Sequence, residues 1–176
     1  QVSKDNNSYT FESTSHISEI IFENVNLIVE ENAFAFLQDQ VHFDIINSNL
    51  YNDELRYFVD ENALFSQRYN STDEYYYGER TLVKYGRGEY INSFPTVTNC
   101  DIIGKGAFFC QPILDVKLSC SVNEIKDYAF YGCTNLRKVD YEEDVNNELT
   151  SIGKFVIDNT QMYNESEIVV VLNYIF

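Results

Sequence analysis

Two stretches of this chain, "GKGAFFCQPILDVKL" from Gly104 and "KDYAFYGCTNLRKVDY" from Lys126, share one pattern: a small residue, an aromatic, a Cys, then apolar residues at fixed intervals. Setting Ala107-Phe108 over Ala129-Phe130, an offset of 22, brings Ile103 over Ile125 and Phe94 over Val116. An offset of 96 sets Ile17 over Ile113, Ile20 over Val116, Phe22 over Leu118, Val29 over Ile125, Ala33 over Ala129 and Phe34 over Phe130, without a gap. A unit of about 22 residues cannot enclose its own apolar face. Only stacked copies bury a continuous core, so the repeat points to a solenoid.

Each copy has two parts. The first reads apolar-x-x-apolar-x-apolar: "ISEIIF" from Ile17, "ILDVKL" from Ile113 and "LRKVDY" from Leu136, with degenerate forms "QVHFDI" from Gln40 and "INSFPT" from Ile91. Its last two apolar positions alternate, as a half-buried strand requires, and strands of successive copies form a parallel sheet along one side. The second part reads "VEENAF", "IGKGAF", "IKDYAF" and a decayed "IGKFVI" from Ile152. It predicts a turn or short helix on the opposite wall, with Ala close to the core and the aromatic filling the space between walls. Phe34, Phe108 and Phe130 are expected in one column beside Val29, Ile103 and Ile125. The motif offset of 23 between "ILDVKL" and "LRKVDY" sets Asp115 beside Lys138 and Lys117 beside Asp140, facing outward and neutralising each other.

The residues "VNEIKDYAFYGCTNLRKVDY" and "CDIIGKGAFFCQPILDVKL" resemble the BspA-like leucine-rich repeat family in the spacing of Ile, Ala-Phe, Cys, Leu and Val. "FVDENALFS" followed by "RTLVKYGRGEYINSF" resembles the non-repeat strand pair that often precedes such repeats, although "YGRG" replaces the usual Pro-containing turn. The resemblance implies a mainly β leucine-rich-repeat solenoid, with a parallel sheet on one face, turns or short helices on the other, and a central β-hairpin insertion. It also implies a surface or secreted protein of bacteria or protist parasites that adheres to host or matrix proteins.

The whole of 1–176 reads as one solenoid domain, with N-terminal repeats over 17–46, an irregular hairpin segment over 47–88, and C-terminal repeats and a cap over 89–176. In the hairpin segment "RYFVDENALFS" and "RTLVKY" read as two strands, and "QRYNSTDEYYYGE" between them as a long exposed loop. Tyr75, Tyr76 and Tyr77 are candidate protein contacts there, because Tyr offers a large amphipathic surface at low entropic cost. Lys117 and Asp140 are further candidates on the sheet face. N-glycosylation patterns occur at Asn6, Asn70 and Asn164, and the loop makes Asn70 the best placed. The polar N-terminal stretch is expected to fray, and the apolar "EIVVVLNYIF" to pair onto the last coil.

A formal net charge of −16, from 28 acidic and 12 basic residues, leaves no basic footprint for nucleic acid or anionic membrane. No apolar run reaches the ~20 residues of a membrane span. The missing initial Met and signal peptide suggest a processed or trimmed chain. His16 and His42 have no metal-ligand spacing around them. "DYEEDVNNE" lacks the ordered ligands of a calcium loop and reads as a solvated insertion. No catalytic, cofactor or metal residues are assigned, and the chain reads as a non-enzyme. Cys110 over Cys133, and Cys100 diagonal to Cys120, are within disulfide reach, but free thiols packing as small hydrophobes are favoured. The function expected is binding of a protein partner at the cell surface or outside the cell. The alternative is an intracellular scaffold or a structural fragment of a longer array.

Overall fold

The computed structural model describes residues 17–29, 32–38, 41–52, 54–61, 63–86, 96–97, 100–142 and 149–160. His16, Asn6, Asn164, the polar N-terminal stretch, the apolar C-terminal run and most of "INSFPT" lie outside the described residues.

The described residues contain thirteen strands and no helix. In chain order the strands are β1 (Glu19–Glu23), β2 (Asn26–Ile28), β3 (His42–Ile46), β4 (Asn49–Asn52), β5 (Leu55–Asp60), β6 (Ala63–Asn70), β7 (Tyr75–Lys84), β8 (Thr96–Val97), β9 (Ile102–Ile103), β10 (Asp115–Leu118), β11 (Glu124–Ile125), β12 (Lys138–Tyr141) and β13 (Ser151–Ile152). They wind as a leucine-rich-repeat solenoid whose coils contribute one strand to each of two parallel walls. The first wall holds the strands of the apolar-x-x-apolar-x-apolar motif, as the pair β1-β3 and the three-stranded sheet β8-β10-β12. The second wall is an eight-stranded sheet in the order β13-β11-β9-β7-β6-β5-β4-β2. The isoleucines that open the later second halves, Ile103, Ile125 and Ile152, therefore each lie in a short strand, whereas Val29 of the first copy follows directly after β2.

The pattern of the first wall follows from alternation. Val116 and Leu118 are buried and Lys117 between them is exposed. The third wall is made of turns, one outcome of the two expected there. Its path needs a left-handed residue just before the Ala of a copy, or before Val156 in the last one: Asn32 (φ 64°), Gly106 (60°), Tyr128 (59°) and Phe155 (55°). Such a φ suits Gly and Asn and strains an aromatic residue. At Gly106 a second constraint applies, since a Cβ there would run into the Ala35 carbonyl oxygen. Ala107 and Ala129 behind this column are fully buried.

The aromatic column differs from expectation at its N-terminal end. Phe108 stacks on Phe130 with centroids 4.9 Å apart and planes at 18°. The ring on the other side of Phe108, also at 4.9 Å, is Tyr85 rather than Phe34. Phe34 instead meets Phe22 and Phe43 edge-on, in a separate cluster with Val29, Leu37, Val41, Leu50 and Leu64. The cause is the central segment, which holds the two sets of coils apart on the sheet side. On the turn side they still touch: Phe36 meets Phe109 at 5.0 Å and Tyr128 at 5.7 Å.

The central segment is a three-stranded antiparallel meander, not two strands and a long loop. "RYFVDENALFS" itself reverses at Glu61, whose φ is +46°, so β5 pairs β6 from Leu55↔Arg68 to Asp60↔Ala63. β6 then pairs β7, the reversal takes only residues 71–74, and Tyr75–Tyr77 lie on β7. Sheet continuity is kept at both sides, by the antiparallel β4–β5 pair and the parallel β7–β9 pair. Neighbouring residues of β6 face different cores: Leu64 joins the N-terminal cluster and Phe65 the C-terminal one. The strand is thus a wall shared by both.

Phe130, buried in the middle of its stack, is expected to lose about 3–5 kcal/mol of stability on Phe130→Ala, the usual cost of deleting a buried aromatic side chain. Denaturant melts measure it, and a loss below about 1 kcal/mol would show that the column is not a core.

Candidate functional site

The two faces of the meander carry different side chains. Strand alternation and the pairs Tyr51↔Arg56, Phe58↔Phe65 and Tyr69↔Tyr76 set Tyr51, Arg56, Phe58, Tyr69 and Tyr76 on one face. Tyr75 and Tyr77 point to the other, 5.9 Å apart, where the Tyr77 hydroxyl donates to Glu54 Oε2 at 3.3 Å. The three consecutive tyrosines therefore do not form one surface. Sequence reading placed them on a loop and missed the ring and guanidinium neighbours that the register supplies.

On the first face Tyr76 lies 5.0 Å from Tyr69 and 5.1 Å from Phe58, with planes tilted by 56° in both cases. The Arg56 guanidinium sits over Tyr51 at 5.2 Å and over Tyr69 at 5.5 Å, a cation–π arrangement that restrains its position. Deeper along the face, Arg80 lies over Phe65 at 4.0 Å and over Phe58 at 5.0 Å, and its Nη2 donates to Asp60 Oδ2 at 2.6 Å. Partial burial pushes the Tyr76 hydroxyl pKa upward, and the neighbouring Tyr69 adds to this against Arg56. Tyr76 nonetheless keeps 45% of its surface exposed. The result is an aromatic–arginine ladder that is ordered at its base and accessible at its tip.

At that tip Asn70 closes the reversal. Its Oδ1 accepts from the backbone N–H of Thr72 at 2.9 Å and of Asp73 at 3.2 Å, and its Nδ2 donates to Asp73 Oδ2 at 3.1 Å. The Asn side chain is thus part of the turn.

The candidate pair on the first wall has the expected register, with Asp115↔Lys138 and Lys117↔Asp140 side by side. The ion pairs run differently. Lys117 Nζ bonds Glu142 Oε1, Lys138 Nζ lies 2.7 Å from Asp140 Oδ1, and Arg137 Nη2 lies 3.1 Å from Asp115 Oδ2. The hydrogen bond that Lys117 donates to Glu142 raises the Lys117 pKa, with Asp140 the smaller influence. A long lysine chain reaches past the residue beside it to a carboxylate beyond the strand end. Three cations and three carboxylates cancel on this face, which is a poor charged patch. In double-mutant cycles at low salt, Lys117 should couple more strongly to Glu142 than to Asp140, with both couplings weakened by added salt.

All four cysteines are free. Cys110 lies beside Gly132, not Cys133: the Cys110 N–H donates to the Tyr131 carbonyl, and a Cβ on Gly132 would be 2.7 Å from Cys110 Sγ. The second copy carries one extra residue between its turn and its strand, so strand alignment misplaced the turn. Cys133 Sγ donates to the Phe108 carbonyl at 2.9 Å. Burial pushes the Cys133 thiol up to about 12 and the Cys100 thiol up to about 11. Both are thiols at neutral pH and poor nucleophiles. Among the described residues no three His, Cys, Asp or Glu side chains converge as a metal site.

The residue that sequence reading passed over is Lys84. Hydrogen bonds from Tyr85 N to Ala107 O and from Phe108 N to Ala129 O align Tyr85, Phe108 and Phe130. Lys84 therefore occupies the place of the fully buried Ala107 and Ala129. Aligning "KY" under "AF" would have found it. Its side chain is completely buried, and Nζ donates to the Gly106 carbonyl at 2.9 Å. Burial lowers its pKa from 10.5 to about 7, against a smaller upward pull from Cys133 and Cys110. Because the unfolded chain holds this proton up to about 10.5 and the native chain only to about 7, native stability rises with pH across that window. Relative to Lys84→Met, the wild type should gain stability as pH rises from about 7 to about 10.5. Cysteine titration is common to both proteins apart from the smaller coupling of Cys133 and Cys110 to Lys84. Paired urea melts measure this, and parallel pH profiles for the two proteins would refute it.

A stacked solenoid of two strand walls and one turn wall defines a leucine-rich-repeat protein. The family model for the BspA type leucine rich repeat region, in six copies, matches residues 88–175. The chain belongs to that family, whose members are repeat proteins and generally non-enzymatic. The N-terminal coils and the meander precede the matched part. No curated protein and no solved structure matches the chain. Among the described residues no helix is long and apolar enough to cross a membrane.

Proposed function

We propose that the chain is a protein-binding module of the surface-associated or secreted kind, contacting host or matrix proteins through the meander. The observation that carries this reading is the aromatic–arginine ladder: Tyr and Arg dominate the energetics of protein interfaces, and here they stand on paired strands with little conformational freedom left to lose. The acidic surface and the self-neutralised first wall leave this face as the best contact area. The free thiols support a second reading, an intracellular scaffold or a unit of a longer array, because reducing compartments maintain thiols.

Binding of the purified chain to an array of extracellular-matrix proteins and host cells tests the first reading. Tyr76→Ala should weaken any specific interaction by about tenfold or more, the loss of at least ~1.4 kcal/mol expected for an interface anchor. Binding that is indifferent to Tyr76→Ala would move the site elsewhere. A glycan on Asn70 in native material would favour the extracellular reading, and an array without binders would favour the scaffold.

A further inference from the structure

The guanidinium of Arg56 has no carboxylate within ion-pair reach among the described residues, in a chain with 28 acidic and only 12 basic residues. Arg80 on the same sheet has Asp60, whereas Arg68 on β6 also has no ion pair but makes no cation–π contact among the described residues, so Arg56 is the arginine of the meander that is both without a carboxylate there and held between rings. Arg56 is nevertheless held. It sits between two rings, and Nη1 donates to the Leu55 carbonyl at 3.1 Å, so its position is restrained. That uses one of the five donors of a guanidinium, so the rest of the fork is unspent and already positioned. Pre-organisation of this kind lowers the cost of binding a planar two-oxygen anion.

We propose that Arg56 anchors a carboxylate of the partner, an Asp or Glu side chain on a polypeptide segment that lies across Tyr69 and Tyr76. This deepens the reading above and rests on the meander face contacting protein. Three features select this ligand chemistry. The fork geometry of a guanidinium matches a carboxylate with two parallel N–H···O bonds. A single charge is tolerated beside an acidic surface, whereas a phosphate or sulfate dianion meets about twice the repulsion from the same field. The rings of Tyr69, Tyr76 and Phe58 are tilted against one another. They therefore present edges and hydroxyls rather than an open flat face for a sugar ring, and this suits the mixed polar and apolar surface of a peptide.

The test uses the full chain and two capped dipeptides, N-acetyl-Glu-Leu-amide and its neutral counterpart N-acetyl-Gln-Leu-amide, with nitrogen-15 NMR of the arginine side chains. The Glu peptide should give a saturable shift at Arg56 Nε–H and at the Tyr69 and Tyr76 rings. It should bind about tenfold more tightly than the Gln peptide, the scale of one charge-assisted contact. Arg56→Gln should remove that difference. Arg56→Lys, which keeps the charge but not the fork, should reduce it, and carries the test if Arg56→Gln perturbs the amide spectrum of the fold. Equal binding of the two peptides would overturn the proposal while leaving a protein-binding face intact. No shift with either peptide, or displacement of the Glu peptide by equimolar inorganic phosphate, would overturn it too. A partner found on the protein array that loses affinity with Tyr76→Ala but not with Arg56→Gln would sink this inference alone.

Discussion

The backbone ladder of the eight-stranded sheet is the interaction on which the other features depend. A coil of this solenoid has too few residues to bury its own apolar face, so its stability comes from the coil beside it. The meander interrupts the coil succession but not the ladder. β4 hands over to β5 in antiparallel pairing and β7 hands back to β9 in parallel pairing. Without that continuity two exposed strand edges would face each other across the gap, an arrangement that invites pairing with other chains. The turn wall closes the same gap from outside, through Phe36 against Phe109 and Tyr128.

The candidate surface inherits its order from this ladder. Tyr51, Arg56, Tyr69 and Tyr76 come from four different strands, yet the register places each within 5.0–5.5 Å of the next in the row. A loop with the same composition would have to order these groups on binding. Strands carry that ordering into the folded state, where burial of the meander base on Phe65 and Leu82 secures it. The first wall shows the opposite use of charge, with Lys117, Lys138 and Arg137 each tied to a carboxylate on or just beyond its strands.

Most of the repeat region was legible in the sequence, because each coil obeys the same steric rule. The alternation of Val116, Lys117 and Leu118, the Ala-Phe pairs, and the register of Lys117 with Asp140 follow from spacing alone. What spacing cannot give is how a strand run is divided. "RYFVDENALFS" reads as one strand only if the polar Asp60-Glu61-Asn62 at its centre is passed over as strand residues rather than taken as a turn signal. It is two strands, because Glu61 adopts a left-handed conformation that its residue type does not advertise. That single reversal turned an expected loop into β7 and separated Tyr76 from Tyr75 and Tyr77. Lys84 was hidden for another reason: composition treats a lysine as surface, whereas the geometry of the coil gives it the place of an alanine. Phe34 was assigned to the wrong stack because a gap-free alignment does not reveal what is inserted between two matching coils.

The position of β6 between two cores bears on how the chain comes apart. Repeat proteins commonly unravel coil by coil from an end, since each unit is held only by its neighbours. Here Leu64 and Phe65, adjacent in sequence, each belong to a different cluster. Fraying that starts at either terminus arrives at the same strand, and releasing that strand exposes both clusters at once. The meander thus acts as a firebreak: it divides a modular array into two cooperative units whose opening is coupled at a single strand.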